Sequence, residues 1–94
     1  MTVPSGHRAL KKLPSSVRKH IIDAIQVLSI DPYRGEQLEG QWKFLRSLHT
    51  VFIRTHYRIV YEVDEKRKYV VIRFAASREN FYRTLRQLQM KPLS

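Results

Sequence analysis

The sequence predicts an α+β domain in which an N-terminal helical hairpin packs on a small twisted antiparallel β-sheet, followed by a C-terminal helix. Apolar residues recur at helical spacing before residue 30 and again after residue 80, and two β-rich runs joined by a charged turn lie between them. Ninety-four residues suffice for one modest core and are too few for two. We therefore expect residues 1–94 to form a single domain.

The N-terminal segment has the pattern of two helices hinged at a proline. Residues 8–13 could form a short first helix that ends at Pro14, and Ser15 or Ser16 could cap the second helix. The apolar stripe of the second helix consists of Val17, Ile21, Ala24, Ile25 and Leu28. Two such helices would present one apolar seam to the sheet.

The predicted strands lie in residues 42–54, 57–63 and 69–75, which are rich in β-branched and aromatic residues. A charged turn at residues 64–68 would join the last two runs into a hairpin. The hairpin residues expected to face the helices are Ile59, Tyr61, Val63, Val70, Ile72 and Phe74.

This register turns Arg58 and Arg73 to the other face of the sheet. Ser77 would then cap the last helix, whose buried stripe is Phe81, Leu85 and Leu88. A sheet that buries one face and presents arginines on the other would form a platform for a partner that carries phosphate.

The chain is strongly basic, with a formal net charge of +10 and a pI of about 10.4. Such a charge is typical of nucleic-acid binding. The excess of arginine over lysine and the interleaved aromatic residues favour that interpretation over a merely solvated basic surface, and an acidic protein partner would also fit the charge. The absence of cysteine excludes disulfides, thiolate metal sites and a cysteine nucleophile. The histidines lack metal-ligand spacing and the glycines are scattered, so no metal or cofactor is expected. No apolar run reaches membrane-spanning length and the N-terminus lacks a signal-peptide core, so a cytoplasmic protein is expected.

Four residues could together cleave RNA without a metal, namely His49, Arg58, Arg78 and Tyr82. Such cleavage requires removal of the 2′-hydroxyl proton, stabilisation of an anionic phosphorane and protonation of the 5′-oxygen. Arginines suit the phosphorane, and a histidine is a candidate general base because imidazole titrates near neutral pH. Tyr82 could stack on a base or transfer a proton. The surrounding cations expected to bind RNA are Lys43, Arg46, Arg54 and Arg73.

Each of these residues also has a structural explanation. His49 could be a partly exposed strand residue, and Arg58 could form an ion pair with Glu62 or Glu79. Arg78 could simply occupy the start of a helix, and Tyr82 could pack at the edge of the core.

The order of elements and five short motifs resemble the RelE/ParE toxin superfamily of bacterial type II toxin–antitoxin systems. The most specific motifs are Tyr-Arg-Ile-Val-Tyr at residues 57–61 and Ser-Arg-Glu-Asn-Phe-Tyr at residues 77–82. The others are Ala-Leu-Lys-Lys-Leu-Pro at 9–14, Asp-Pro at 31–32 and Leu-Glu-Gly at 38–40. Residues 40–49 are similar to the Gly-x-Trp-Lys…Arg…His run of the YafQ-like branch, in which the histidine belongs to the active site.

The resemblance implies a RelE-like toxin domain with a microbial-RNase-like fold that cleaves mRNA in the ribosomal A site. It also implies an antitoxin partner with an acidic or amphipathic segment. By position, Arg58 resembles the arginine that binds the scissile phosphate, Arg78 the arginine near the last helix, and Tyr82 the tyrosine that orients or protonates.

Two alternatives stay open. The paired strand lysines of RelE are missing, and Ser77 replaces a histidine that often precedes the last arginine, so a ParE-like inhibitor of DNA gyrase without nuclease activity fits as well. A basic RNA-binding or ribosome-associated module without activity of its own is the third reading.

Overall fold

One α-helix, a four-stranded antiparallel sheet and a C-terminal helix form the chain, so the predicted α+β class is confirmed. The computed structural model describes residues 1–4, 8–88 and 91–92. The helices are α1 (Ser15–Ala24) and α2 (Phe81–Gln87), with 3₁₀ turns at Ile25–Ser29 and Gly40–Trp42. The strands are β1 (Glu36–Gln37), β2 (Arg46–Phe52), β3 (Thr55–Asp64) and β4 (Tyr69–Ser77), in the spatial order β1-β2-β3-β4.

The first arm of the predicted helical hairpin is a pair of turns and not a helix. The backbone N–H of Lys11 donates to the carbonyl of Arg8 at 3.4 Å, and that of Leu13 donates to the carbonyl of Leu10 at 3.1 Å. A segment this short, ended by Pro14, forms too few hydrogen bonds to offset the cost of helix nucleation. Leu10 is nevertheless fully buried, so the segment still packs on the core.

Two apolar cores lie on opposite faces of the sheet. The core on the α1 face contains Leu10, Val17, Ile21, Ile25, Leu28, Ile59, Tyr61, Val70 and Ile72. The core on the α2 face contains Leu45, Val60, Phe74, Ala76, Phe81 and Leu85. The sheet is therefore covered on both faces, and the prediction of one buried face was wrong.

A β-bulge in β4 explains the second core. Val60 pairs with Phe74 and Tyr61 pairs with Ile72, which leaves Arg73 as an extra residue on β4. The extra residue reverses the alternation of side chains, so Phe74 faces α2 and not the helix α1 that the sequence pattern predicted. Periodicity along one strand contains no signal for such an insertion.

The last helix begins later than predicted. Ser77 is the final residue of β4, paired with Tyr57, and α2 starts at Phe81. Asn80 occupies the N-cap position, and its side-chain amide donates to the Ser77 hydroxyl at 3.2 Å. Leu88 follows the helix and is half-exposed, so the buried stripe of α2 is Phe81 and Leu85. None of the helices in the described residues is long and apolar enough to cross a membrane.

The loop before β1 is fixed by a buried tyrosine. The backbone N–H of Gly35 donates to the Tyr61 hydroxyl at 2.9 Å, and the Arg46 guanidinium donates to the carbonyl of Gly35 at 2.8 Å. Burial raises the pKa of the Tyr61 phenol, and the hydrogen bond from Gly35 lowers it by a smaller amount. The hydroxyl therefore stays neutral and accepts this hydrogen bond. The loop is thus held against the centre of the sheet.

Gly35→Ala should destabilise the fold by about 1–3 kcal/mol because the added methyl group overpacks this contact. A Cβ at Gly35 would lie 2.7 Å from the Tyr61 hydroxyl oxygen and 2.8 Å from the Ser47 carbonyl oxygen. Urea unfolding followed by circular dichroism measures the change. Arg34→Ala, at the exposed neighbouring position, is the control and should stay within about 0.5 kcal/mol of wild type. Equal stability of both variants would contradict the packing.

Asp64→Asn should lower the melting temperature at neutral pH, with the difference disappearing in acid. Hydrogen bonds from the Arg67 backbone N–H and guanidinium hold the pKa of the Asp64 carboxyl below its ordinary value of 3.8. Because the folded-state pKa is the lower one, this stabilisation is present above the ordinary value and is lost as pH falls through the folded-state pKa. Glu65→Gln is the charge-matched control in the same turn. A melting difference that is independent of pH would argue against ionisation of Asp64 as its cause.

Candidate active site

The α2 face of the sheet carries a group of polar side chains beside the second core. Ser47 and His49 are two residues apart on β2, and His56 and Arg58 are two residues apart on β3. Because His49 pairs with Arg58, all four side chains project from the same face. His49 and Arg58 are direct cross-strand partners in the β2–β3 register. The spacing between these two residues, which the sequence left undetermined, is therefore that of neighbours on adjacent strands.

Arg58 is held by a hydroxyl and by an aromatic ring. One of its terminal nitrogens lies 3.3 Å from the Ser47 hydroxyl oxygen, and its guanidinium carbon lies 5.4 Å from the centre of the Phe81 ring. Its backbone is in the middle of β3, where the ladder on both sides restricts it. The guanidinium is consequently positioned by the core, and Arg58 remains partly exposed.

Two clefts open beside this group. The first, of about 380 Å³, is lined by Arg34, Gly35, Glu36, Ser47, Leu48, His49, Arg58 and Arg78. The second, of about 310 Å³, is lined by Arg54, Thr55, His56, Ser77, Arg78 and Glu79. Three of the four predicted catalytic residues thus meet in the first cleft, and Arg78 borders both clefts.

Arg78 and Tyr82 do not lie on one helix, although the predicted helix capped by Ser77 would have contained both. Arg78 lies in the connection between β4 and α2, and its backbone N–H donates to the carbonyl of His56 at 2.9 Å. Tyr82 lies on α2, is 59% exposed, and packs edge-on against Phe81 at 4.9 Å between ring centres. Phe81 therefore lies between Tyr82 and the guanidinium of Arg58, and Tyr82 is outside the lining of the first cleft.

Two of the four predicted RNA-binding cations make internal contacts. Arg46 donates to the carbonyls of the loop before β1 and lies over the Tyr33 ring at 5.0 Å. Arg73 forms an ion pair of 2.7 Å with Glu62, the carboxylate that the sequence offered as a partner for Arg58. Both arginines stabilise the fold.

The other two predicted cations are exposed. Arg54, in the β2–β3 turn with φ of 64°, lines the second cleft, and Lys43 follows the second 3₁₀ turn. Arg54 is thus available to a polyanion in the second cleft, whereas Lys43 is exposed but lines neither cleft.

Sequence reasoning missed several residues that line the clefts, among them Arg34, Glu36, Ser47 and His56. Ser47 and His56 had a signal, since each is two positions from a predicted site residue on the same strand. Arg34 and Glu36 had none, because only the pairing of β1 with β2 brings them to this face. No group of three or more metal-ligating side chains occurs in the described ranges.

Comparison with known proteins agrees with this architecture. Residues 1–86 match the family model described as a ParE-like toxin of type II bacterial toxin–antitoxin systems. One chain of the crystal structure of the toxin–antitoxin complex RelBE2 from Mycobacterium tuberculosis is similar, with a TM-score of 0.66 and 28% identity. The similarity covers 82% of this chain and 96% of that one. No curated protein matches the chain significantly. The match over nearly the whole sequence shows that this chain belongs to the ParE-like toxin family of type II bacterial toxin–antitoxin systems.

Proposed function

We propose that this toxin is a metal-independent endoribonuclease that cleaves mRNA in the ribosomal A site and so stops translation and growth. The observation that carries the proposal is the convergence of His49, Arg58 and Arg78 on one cleft. Two guanidinium groups there match the geometry of phosphate oxygens, and an imidazole lies next to them for proton transfer. The site of action would be the cytoplasm, where ribosomes are.

The reaction would proceed by attack of the 2′-hydroxyl oxygen on the adjacent phosphorus. The O2′–P bond forms as His49 takes the hydroxyl proton, and the P–O5′ bond breaks as the 5′-oxygen takes a proton from a general acid or from water. The products are a 2′,3′-cyclic phosphate and a 5′-hydroxyl. Arg58 and Arg78 would stabilise the added negative charge of the phosphorane. Because Phe81 and the Ser47 hydroxyl already orient Arg58, little reorganisation would be needed as the charge develops.

Recognition of RNA would combine charge and stacking. The net charge of +10 favours approach to the ribosome and its RNA, and the exposed Lys43 and Arg54 would contact backbone phosphates. Tyr82 is exposed, lies outside the catalytic cleft and is supported by Phe81, so a role in stacking on a base suits it better than proton transfer.

A non-enzymatic inhibitor of DNA gyrase is the second candidate. The matched family model is that of ParE-like toxins, and ParE-like proteins are expected to act by binding and not by chemistry. This reading needs no catalytic cleft, and the same basic surface would serve an interface.

An antitoxin is the partner that we propose for either activity. The similar structure is that of a toxin–antitoxin complex. An acidic or amphipathic segment would suit the basic α2 face, because opposite charges favour association. A groove of about 380 Å³ on this side combines apolar and cationic residues, and its lining includes Trp42, Phe44, Leu85, Arg86 and Lys91.

Arg58→Ala should reduce mRNA cleavage by about 10²–10³-fold, because it removes one preorganised donor to the transition state. Primer extension on a reporter mRNA, with and without 70S ribosomes, measures the cuts. Lys19→Ala is the matched control, since it also removes one positive charge, but at an exposed position of α1 on the opposite face of the sheet. Wild-type cleavage by Arg58→Ala would refute the catalytic role. Absence of cuts with the wild type, together with inhibition of gyrase supercoiling, would establish the second candidate.

Tyr82→Ala should weaken RNA binding, while Tyr82→Phe should retain both binding and cleavage rate. Base stacking is worth about 1–3 kcal/mol, and phenylalanine keeps the ring but lacks the hydroxyl. Single-turnover cleavage at increasing toxin concentration separates binding from the chemical step. A large rate loss in Tyr82→Phe at saturation would instead indicate proton transfer by the phenol.

A further inference from the structure

His49 and His56 form a hydrogen-bonded pair on the site face of the sheet. Nε2 of His49 lies 2.8 Å from Nδ1 of His56. The ring centres are 5.0 Å apart and the ring planes differ by 19°. Because the nitrogens are much closer than the ring centres, the rings meet edge to edge and not face to face. The pair thus has one shared hydrogen bond and two outer nitrogens, Nδ1 of His49 and Nε2 of His56.

The pair connects the two clefts. His49 lines the cleft that contains Arg58, and His56 lines the cleft that contains Arg54. Arg78 borders both, so a phosphate held by Arg58 and Arg78 would lie next to the pair. Within the described residues, neither outer nitrogen makes a further hydrogen bond, and each ring lines one of the clefts.

The hydrogen bond constrains the protons of the two rings. Two neutral imidazoles carry two N–H groups, of which one must occupy the shared bond. The other must be on one outer nitrogen, which leaves a lone pair on the remaining outer nitrogen. In either arrangement the pair therefore offers one proton donor and one proton acceptor at the same time.

We propose that His56 is the general acid that works with His49 as the general base, an inference that rests on the ribonuclease function proposed above. Nδ1 of His49 takes the 2′-hydroxyl proton as the O2′–P bond forms. Nε2 of His56 gives its proton to the 5′-oxygen as the P–O5′ bond breaks. The shared proton moves from His49 to His56, so both rings end neutral, and exchange with water restores the starting arrangement.

A leaving group that needs no proton tests the role of His56. His56→Asn keeps a polar group near the position of Nδ1 but has no counterpart of Nε2 and does not titrate. On ordinary RNA presented by ribosomes it should lower the cleavage rate by about 10²-fold or more. On RNA with sulfur in place of the 5′-oxygen at the cleaved bond, the rate should return to within a few-fold of wild type. His20→Asn is the control on the opposite face, where His20 contacts Thr50 at 2.8 Å, and should be unaffected with both substrates.

The outcomes separate this inference from the proposed function. The assignment of His56 as the acid would be overturned if the 5′-sulfur substrate restored cleavage by His49→Asn but not by His56→Asn. It would also be overturned if His56→Asn lost the same factor in cleavage rate on ordinary RNA and on the 5′-sulfur RNA. Unchanged cleavage by His56→Asn, with Arg58→Ala inactive, would remove this inference and leave the ribonuclease in place. Failure of the wild-type protein to cut RNA would refute both this inference and the proposed ribonuclease function.

Nitrogen NMR of the imidazoles gives a second test that does not depend on cleavage. A coupling between Nε2 of His49 and Nδ1 of His56 across their shared hydrogen bond should be observed. Its absence in the wild type would overturn the pair.

Discussion

The pairing of β2 with β3 is the constraint on which the rest of the structure depends. Seven consecutive residue pairs, from Arg46↔Tyr61 to Phe52↔Thr55, set which side chains face each side of the sheet. A slip of β3 by one residue would turn Arg58 towards the α1 core and would turn Ile59 and Tyr61 out of that core. Burial of charge without a partner costs several kcal/mol, so the apolar core itself maintains the geometry of the site.

The bulge at Arg73 complements this register. Before the bulge, Val70 and Ile72 of β4 lie in the core on the α1 face. After the bulge, Phe74 and Ala76 lie in the core on the α2 face. The extra residue also places the Arg73 guanidinium against Glu62, a pair whose side chains are only 16% and 10% exposed. The second core adjoins the candidate site because it contains Phe81, which contacts both Arg58 and Tyr82.

Basic side chains in this protein have two distinct uses. Arg46 and Arg73 satisfy carbonyls or a carboxylate and hold loops and strands together. Arg54, Arg58 and Arg78 line the clefts, where Glu36 and Glu79 only partly offset their charge. Like charges in such a cluster repel one another in the free protein. In the ribonuclease that we propose, the same charges would provide affinity for RNA and make binding depend on salt.

The sequence by itself determined the fold class, the family and most of the arginines of interest. Helical and strand periodicity are local properties, and the motifs around Arg58 and Arg78 are contiguous, so both are readable along the chain. It did not determine that residues 8–13 form turns, that β4 contains a bulge, or that α2 begins at Phe81. These depend on competition between local hydrogen bonds and packing with distant residues.

The tertiary structure alone decided which polar residues form one site. His49 and His56 are on different strands, and only the hairpin between them brings Nε2 of His49 within 2.8 Å of Nδ1 of His56. Glu36 reaches the same face through the short pairing of β1 with β2. Arg46 and Arg73 look equivalent to the other arginines in sequence, but their surroundings occupy them. Cross-strand register and burial are long-range properties of the folded chain, and for that physical reason residue type and spacing could not specify them.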